Sequence, residues 1–450
     1  MGRPYGKLEI VVHVLIFPWP PLTRTFSCFQ FLLALIDHKI TNKKHSQLNT
    51  VQVPPLCPQS SRVYRNCRIM KVDYPTPFLS WAAAKGISTP LQLVCDDKTN
   101  YRSMRIPSTS TVQTLTSQST STEGLVNVVE VPLDACIVGK DLPTLVEKLK
   151  HEKSLGDSSF YAPWLDTFPT LDDFLGMPRF WDKDRLDFVS KFDGGQLKGR
   201  VGIDQARINQ CDDPWALAIV DSRTNYLPDE TYSLTPMLDM FNHDPTYKTS
   251  ARVEESKRLM LDVSSESIIA STATTGVDWK DQVFGFLKGG NDNQMKAGDE
   301  IFVSYGEFDN VELLSNYGFC TVENPSNIEQ VKVRSLAMGT KPTILIVDSQ
   351  GSIDNIFNMM SLDSLRVSLA STSELEKYEG EGSGKISEAN EIEMYALIAG
   401  ELEEAVYDAT AGAKEAKLRD DLLLSTYLQG RQRTLECGLN ALKTKYPEIF

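Results

Sequence analysis

Three short segments that are rich in potential ligand-binding side chains constrain the fold of this 450-residue chain more than any other part of its sequence. The first runs from Trp215 to Asn225 and the second from Leu234 to His243. The third runs from Gly298 to Phe319 and is closed by Asn324-Pro325. Taken alone, Asn-His, Tyr-Gly and Tyr-Gly-Phe are ordinary turn or strand-end sequences. Their order and separation make the combination specific.

Together and in this order, the segments resemble the SET domain of the Rubisco-methyltransferase class, which includes the actin-histidine methyltransferase. Ser159-Phe-Tyr-Ala-Pro-Trp164-Leu is similar to the segment that opens the helical insertion of these proteins. The resemblance covers roughly residues 70–450. It implies an α+β fold, namely a SET-domain β fold with an inserted helical region at about residues 143–225, followed by an all-α C-terminal substrate-binding domain.

The resemblance implies that the cofactor is S-adenosylmethionine. Asn242 and His243 match the Asn-His pair that holds this cofactor in the family, and Arg223 matches an arginine that is also found there. Tyr305 matches the catalytic tyrosine, which also contributes to the cofactor site. Phe319 is expected to pack near the adenine.

Four further positions match the family's substrate site. Tyr317 matches an aromatic wall of the substrate channel, and Asp239 a position that can contact substrate. Asn225 is shared with the actin-histidine enzyme, whereas lysine-directed members tend to have an aromatic there, and an amide can hydrogen-bond an imidazole nitrogen. Leu238 replaces the tryptophan that the histidine enzyme carries before its Asp-Met. The two markers disagree, and family frequency favours lysine over histidine as the acceptor.

The residues also suit the chemistry. Methyl transfer from a sulfonium needs an in-line approach, a neutral nucleophile and oxygen dipoles near the methyl group. Because the reference pKa of lysine is about 10.4, an aromatic, water-poor channel favours its uncharged form. Tyr305 at a strand end and Tyr317 twelve residues later can line such a channel.

One part of the family pattern is missing. The family carries a Gly-x-Gly-type segment that lines the cofactor, but the corresponding stretch here reads Asn100-Tyr-Arg-Ser-Met-Arg-Ile-Pro, and no glycine occurs between Gly86 and Gly124. Either this side of the pocket is rebuilt or cofactor binding is weakened. Two functions therefore stay open: a protein N-methyltransferase, and a catalytically weak SET-fold protein that binds a partner.

Charge is divided unevenly along the chain. The sequence contains 46 Lys/Arg and 60 Asp/Glu, a formal net charge of −14. Residues 1–72 hold ten of the basic and two of the acidic residues (+8), which leaves 36 and 58 (−22) for residues 73–450. The acidic body argues against a nucleic-acid partner and suits basic segments of a protein substrate.

Residues 1–69 are basic, proline-dotted and poorly periodic, which is typical of a targeting presequence. A mispredicted start with Met70 as the first residue is an alternative, and a structural arm is a third. The segment is expected to lack a fixed fold. A genuine presequence would favour a plastid location, and otherwise the cytoplasm is expected.

The remaining composition is that of an ordinary folded protein, with 41% hydrophobic and 24% charged residues. The eight cysteines form no C-x-x-C pair, and with five histidines and no marked third ligand no metal is expected. No apolar run reaches the roughly 18–20 residues that span a bilayer, so no membrane partner is expected. We expect a monomer.

Patterns along the body predict its organisation. Residues 107–124 are rich in Ser and Thr and are interpreted as a surface loop, and the valines from Val126 to Val131 indicate a strand. Aromatic residues in 143–195 indicate short helices, and an acidic, glycine-rich connector lies between Glu376 and Gly384. Two apolar stripes then predict helices, the first capped by Ser387.

The domains are predicted as 1–69 (presequence or mispredicted start), 70–325 (SET domain with its insert) and 326–450 (helical substrate-binding domain).

Overall fold

The computed structural model describes residues 76–95, 101–121, 124–227, 229–272, 295–334, 342–349, 359–376 and 384–450. The expectations for residues 1–69 and for the acidic, glycine-rich connector within 377–383 lie outside the described residues. The predicted domain boundaries stay a prediction.

Helices make up about half of the described chain. In chain order they are α1 (Thr76–Ala84), α2 (Thr109–Ser121), α3 (Leu142–Ser154), α4 (Ala162–Leu165), α5 (Lys183–Val189), α6 (Gln196–Cys211), α7 (Pro214–Arg223), α8 (Ser265–Thr272), α9 (Asn310–Tyr317), α10 (Met359–Leu369), α11 (Thr372–Leu375), α12 (Glu388–Leu418) and α13 (Leu422–Lys445). None of those in the described residues is both long enough and apolar enough to cross a membrane.

The strands are short and form small sheets. They are β1 (Gln92–Cys95), β2 (Arg102–Arg105), β3 (Leu125–Pro132), β4 (Ile137–Gly139), β5 (Thr224–Tyr226), β6 (Tyr232–Leu234), β7 (Asn242–His243), β8 (Thr249–Val253), β9 (Arg258–Ser264), β10 (Phe302–Val303), β11 (Ile328–Val333) and β12 (Thr343–Asp348). Strand β9 lies between β3 and β8, and β6 lies between β4 and β5, all antiparallel. Strands β1 and β2 form an antiparallel pair, whereas β7 and β10 are parallel.

Apolar side chains of the strands and of α7 build the main core. Val126, Val128, Val129 and Val131 are all buried, and a register shift between Asn127 and Val129 lets two consecutive valines face inward. The expected strand is thus confirmed. Burial of these β-branched side chains supplies the hydrophobic stabilisation of this sheet.

Aromatic contacts pack the short helices that follow β4, as the sequence predicts. The indole of Trp164 stacks on that of Trp81 with 6.4 Å between ring centroids, and Phe168 meets Trp164 edge-on at 5.0 Å. Trp215 donates through Nε1 to the carbonyl of Pro169 at 2.8 Å. These aromatics connect α1, α4 and α7 into one cluster beside the strands.

Two long helices dominate the C-terminal part. Ser387 caps α12 by accepting the amide N–H of Asn390 at 3.0 Å, and the predicted stripe that includes Leu428 and Leu435 on α13 is buried. Helix α13 ends at Lys445, just before Pro447. The antiparallel pair β11–β12 packs against these helices, so this part contains two strands that the all-α expectation omits. Their alternating burial, with Val331 and Val333 inward, is the period-2 pattern of a half-buried sheet.

The Ser/Thr-rich stretch is a helix rather than a loop. Within α2 the hydroxyls of Thr114, Thr116 and Ser117 donate to carbonyls four residues earlier, so they do not compete with the helical backbone. Leu115 is fully buried and anchors the helix on the core. The composition suggested a loop because Leu115 is the one buried side chain among residues 109–119, which leaves little apolar periodicity.

Candidate functional site

Two very short strands bring the second and third sequence segments together. Asn242 and His243 form β7, which pairs in parallel with Phe302 and Val303 of β10. Asn242 and His243 are half-buried, whereas Phe302 and Val303 are buried in the main core. The core therefore fixes the backbone, and the polar pair lies at its edge.

His243 links β7 to the chain after β10. Its Nδ1 accepts the backbone N–H of Tyr305 at 3.0 Å, so the neutral ring carries its proton on Nε2. Burial lowers the pKa of His243 below its ordinary value, although Asp244 opposes this shift. The imidazole is thus neutral at pH 7 and acts as a hydrogen-bond acceptor.

Tyr305 lies two residues beyond β10. Its hydroxyl donates to the carbonyl of Phe241 at 2.8 Å, and its ring centroid lies 5.0 Å from that of His243. Burial raises the pKa of Tyr305 to about 12, and Arg223 partly offsets this shift. The hydroxyl is therefore uncharged at neutral pH.

Tyr317 and Phe319 complete a group of packed rings. The ring centroid of Tyr317 lies 4.8 Å from that of Tyr305 and 6.0 Å from that of Phe319, which lies 6.0 Å from His243. Phe308 approaches the other side of Tyr317 at 6.0 Å. We call Tyr305, Tyr317, Phe319 and Phe308, together with His243, the aromatic cluster.

Gly318 allows this cluster to form. It ends α9 with a φ of 78°, a left-handed conformation that strains any residue with a Cβ. It also packs closely on Gly176, since a Cβ at Gly176 would lie 2.8 Å from the Gly318 carbonyl oxygen. Two glycines in contact thus let the chain turn from Tyr317 to Phe319 beside the helical insertion.

The half-buried Arg223 pairs with the fully buried Asp239. The Nη1 of Arg223 donates to the backbone oxygen of Asp239 at 2.8 Å and lies 3.4 Å from its Oδ2, which also accepts Nε1–H of Trp164 at 3.1 Å. The Asp239 side chain is 0% exposed, and burial raises its pKa while Arg223 lowers it. Its Oδ1 is buried and has no hydrogen-bond partner among the described residues, and the expected contact of Asp239 with substrate stays a prediction.

The two markers of acceptor type lie close to this pair. Asn225 is half-buried on β5, and its amide nitrogen lies 3.4 Å from the carbonyl oxygen of Arg223. Leu238 starts the short 3₁₀ turn that carries Asp239 and is 8% exposed. Its apolar side chain adds no hydrogen-bond donor or acceptor to the site.

Three residues around Asn242 were not singled out from the sequence. The amide nitrogen of Asn242 donates to the backbone oxygen of Arg102 at 2.6 Å and to Oε1 of Glu300 at 2.8 Å. The hydroxyl of Tyr101 donates to the same Oε1 at 2.8 Å. Tyr101 and Arg102 belong to the stretch that replaces the expected glycines, so a tyrosine and a strand stand where the family pattern has glycines.

A recess of about 660 Å³ lies elsewhere, between β4 and α3. Its lining includes Cys136, Lys148, His151 and Tyr161, and it shares no residue with the site described above. Volume alone therefore does not locate the candidate site in this protein, whereas the convergence of the sequence motifs does. Among the residues that the structure covers, no three His, Cys, Asp or Glu side chains are grouped to hold a metal.

Comparison with solved structures defines the fold. The crystal structure of the SET domain of LSMT bound to lysine and AdoHcy matches 83% of this chain and 92% of its own, with a TM-score of 0.53 and 16% identity. The structure of Rubisco LSMT bound to AdoMet matches with the same values. The chain therefore has the SET fold in the form seen in Rubisco LSMT, and the predicted fold class is confirmed. The narrower resemblance to the actin-histidine enzyme stays a prediction.

Sequence relatives support the same class over a shorter stretch. Protein SET DOMAIN GROUP 40 of Arabidopsis thaliana is 30% identical over 122 residues, which are 25% of this chain and 23% of that protein. The ribosomal lysine N-methyltransferase set11 of Schizosaccharomyces pombe is 24% identical over 144 residues, 31% of this chain and 29% of that protein. The chain thus matches less than a third of the length of these relatives. No family model matches the sequence.

Proposed function

We propose that the protein is an S-adenosylmethionine-dependent protein N-methyltransferase whose acceptor is a lysine in preference to a histidine. The observation that carries the proposal is the convergence of Asn242 and His243 with the aromatic cluster around Tyr305. The shared fold with Rubisco LSMT, whose crystal structures contain AdoMet, AdoHcy and lysine, supports it.

The polar groups at the site fit such a cofactor. Asn242, His243, Arg223, Tyr305 and Phe319 would hold it. The Nε of Arg223 is buried and has no hydrogen-bond partner among the described residues, and the Asn242 side chain is half-buried at the edge of the core. When bound, S-adenosylmethionine supplies an electrophilic methyl group on a sulfonium.

Tyr305 would act through its oxygen dipole. Because its proton is donated to the carbonyl of Phe241, the oxygen lone pairs are available to stabilise positive charge on a transferring methyl group. A pKa raised to about 12 excludes Tyr305 as a proton acceptor at pH 7 to 9. The acceptor amine must be uncharged when it attacks the methyl group, and the rings of Tyr317 and Phe308 favour this form.

Lysine as acceptor is supported by one feature of the site. Leu238 gives the site an apolar side chain beside Asp239. In addition, set11 is named for lysine methylation, and LSMT was crystallised with lysine.

The first test is cofactor binding. Titration calorimetry of the full chain with S-adenosylmethionine is expected to show binding at micromolar concentrations. The alternative, a SET-fold protein that only binds a partner, is favoured by the missing glycine segment and predicts no heat at high micromolar cofactor. Absence of binding would contradict the proposal that the protein is a methyltransferase.

The second test is Tyr305→Phe. We expect transfer of labelled methyl groups to lysate proteins to fall roughly 100-fold, because one preorganised dipole is lost while cofactor binding is retained. Tyr226→Phe is the matched control, since this strand tyrosine is 42% exposed and lies outside the aromatic cluster. Equal transfer by Tyr305→Phe and the control would contradict the assigned role. Amino-acid analysis of the product then separates methyl-lysine from methyl-histidine.

A further inference from the structure

The C-terminal end of α9 leaves backbone carbonyls that need donors from outside the helix. Gly318 donates its N–H to the carbonyl of Leu314 at 3.0 Å, and its left-handed conformation ends the helix there. Ser315 is one residue further along and is completely buried. Because a buried carbonyl without a donor costs free energy, the group that binds the Ser315 carbonyl helps to determine where the last turn of α9 lies.

Arg179 supplies this donor from the helical insertion. It lies in the short 3₁₀ turn Pro178–Phe180, and its Nη2 donates to the Ser315 carbonyl at 2.8 Å. The Arg179 side chain is 0% exposed. A cation at the C-terminal end of a helix also interacts favourably with the helix dipole. Arg179 therefore caps α9 from a neighbouring part of the fold.

Two buried aspartates of the insertion hold the Arg179 guanidinium. Its Nη1 donates to Oδ2 of Asp221 on α7 at 2.6 Å, and its Nη2 lies 3.8 Å from Oδ2 of Asp204 on α6. Arg207 donates to both oxygens of Asp221 at 3.0 and 2.5 Å. Since the guanidinium fork is planar and rigid, one side of it is fixed by α6 and α7 while the other binds the end of α9.

The helix end that Arg179 holds carries Tyr317 of the aromatic cluster. Ser315 lies two residues before Tyr317, whose ring packs on that of Tyr305 with 4.8 Å between centroids. Burial raises the pKa of Tyr317, and Tyr305 and Asp221 add to this shift, so the carboxylate that orients Arg179 also acts on the Tyr317 hydroxyl. A displaced helix end would therefore move the ring away from its partner.

From these contacts we infer that Arg179 is a positioning residue for methyl transfer, which fixes the last turn of α9 so that the ring of Tyr317 lines the path of the acceptor side chain. This inference rests on the proposed function. Arg179 is fully buried and acts through Tyr317. The helical insertion thus contributes to the site a residue that none of the sequence motifs marks.

A double-mutant cycle distinguishes positioning from a general loss of stability. Transfer of labelled methyl groups to heat-treated lysate protein is measured at saturating S-adenosylmethionine. The rate is expressed per molecule that binds S-adenosylhomocysteine in calorimetry. Arg179→Met is expected to lower this rate roughly tenfold in the unsubstituted chain, because a misplaced wall disturbs the approach of the acceptor. In the Tyr317→Leu background it should lower the rate less than about twofold, since the ring that Arg179 positions is absent.

Arg207→Met is the matched control. It removes a guanidinium from the same carboxylate, Asp221, whereas the Ser315 carbonyl keeps its donor Arg179. We expect the transfer rate of Arg207→Met to stay within about twofold of that of the unsubstituted chain, although urea unfolding shows a loss of stability.

A second variant covers the case in which Arg179→Met does not fold. Arg179→Lys keeps the buried charge, but an ammonium group cannot reproduce the planar fork that joins Asp221 to the Ser315 carbonyl. Its expected reduction is roughly threefold in the unsubstituted chain, and this reduction should disappear in the Tyr317→Leu background.

The outcomes separate this inference from the proposed function. Equal reductions by the Arg179 variant in both backgrounds, an equal reduction by Arg207→Met, or no reduction at all would overturn the positioning role while the methyltransferase proposal stands. If the unsubstituted chain transfers no label, both proposals are wrong.

Discussion

At the scale of single residues, the site contains groups whose protonation is fixed by burial. His243 is neutral because burial lowers its pKa, and it can then accept the Tyr305 backbone N–H. Tyr305 remains protonated because burial raises its pKa to about 12. Neither group therefore exchanges a proton in neutral solution, and both serve as fixed dipoles.

The pH dependence of stability tests the state of His243. Below the ordinary histidine pKa of 6.5 the unfolded chain binds a proton that the folded chain does not, so His243 stabilises the fold above pH 6.5 and this contribution is lost as the pH falls through the lowered pKa. We expect the unfolding free energy of the unsubstituted chain to fall more between pH 7.5 and 5.5 than that of His243→Gln. Urea unfolding at both pH values measures the difference. Parallel curves would show that His243 titrates normally.

Residues that carry a motif were predictable, whereas their partners were not. Asn242, His243, Tyr305 and Tyr317 were chosen from the sequence, and the structure brings them together, although their roles stay a prediction. Glu300 was missed because its partner Tyr101 is 199 positions away in the sequence, and no local pattern reports such a contact. The sequence signal that could have identified Glu300 is its position just before the apolar residues of β10, within the third sequence segment.

At the scale of elements, close helix packing depends on individual glycines. Gly412 lies in α12 opposite Phe192, which follows α5, and a Cβ at Gly412 would be 2.5 Å from the Phe192 ring. Gly400 lies in the same helix, and a Cβ there would meet no atom of the described chain within 4 Å. The two glycines therefore differ in packing and share the same helical backbone.

Alanine substitutions at these two positions should have opposite effects. Gly412→Ala is expected to lower the unfolding free energy by about 1–3 kcal/mol, because the ring of Phe192 must move. Gly400→Ala is expected to raise it by up to about 1 kcal/mol, since alanine is the better helix former. Urea unfolding of both variants gives the values. Stabilisation by Gly412→Ala would mean that Phe192 moves at no cost.

Elements with apolar periodicity were predictable from the sequence, whereas helix α2, which lacks such a pattern, was not. The stripes on α12 and α13 repeat over many turns, and both helices were found with the Ser387 cap. Helix α2 has one fully buried leucine, Leu115, and hydroxyls that bond back to its own carbonyls. Its stability comes from the tertiary contact of that leucine, which composition does not encode.

At the scale of the whole molecule, a buried ion pair joins three parts of the chain. Arg431 on α13 pairs with Glu329 on β11, and the Arg431 Nε donates to the carbonyl of Phe192 at 3.1 Å. Gln196, at the start of α6, donates to the same Glu329 at 2.8 Å. Helix α13, strand β11 and the helical insertion therefore share one set of polar contacts, with Glu329 fully buried.

Glu329→Gln should destabilise the protein by about 3 kcal/mol, because Arg431 would keep its buried charge and lose its anion. Glu323→Gln is the matched control, since Glu323 pairs with Arg433, two residues along α13, where both side chains are about half exposed. The control is expected to change the unfolding free energy by less than about 1 kcal/mol. Similar values for the two variants would show that the buried pair carries no net stabilisation.

The pairing of β7 with β10 has a consequence for the order of folding. The two strands are two residues long, run in parallel and join positions sixty residues apart in the chain. Closing so large a loop costs chain entropy that two residue pairs cannot repay alone. The polypeptide on either side must therefore be in place before Asn242 and His243 meet Phe302 and Val303. The candidate site is accordingly among the last parts of the described chain to form, and a substitution that slows collapse of the core should delay its formation.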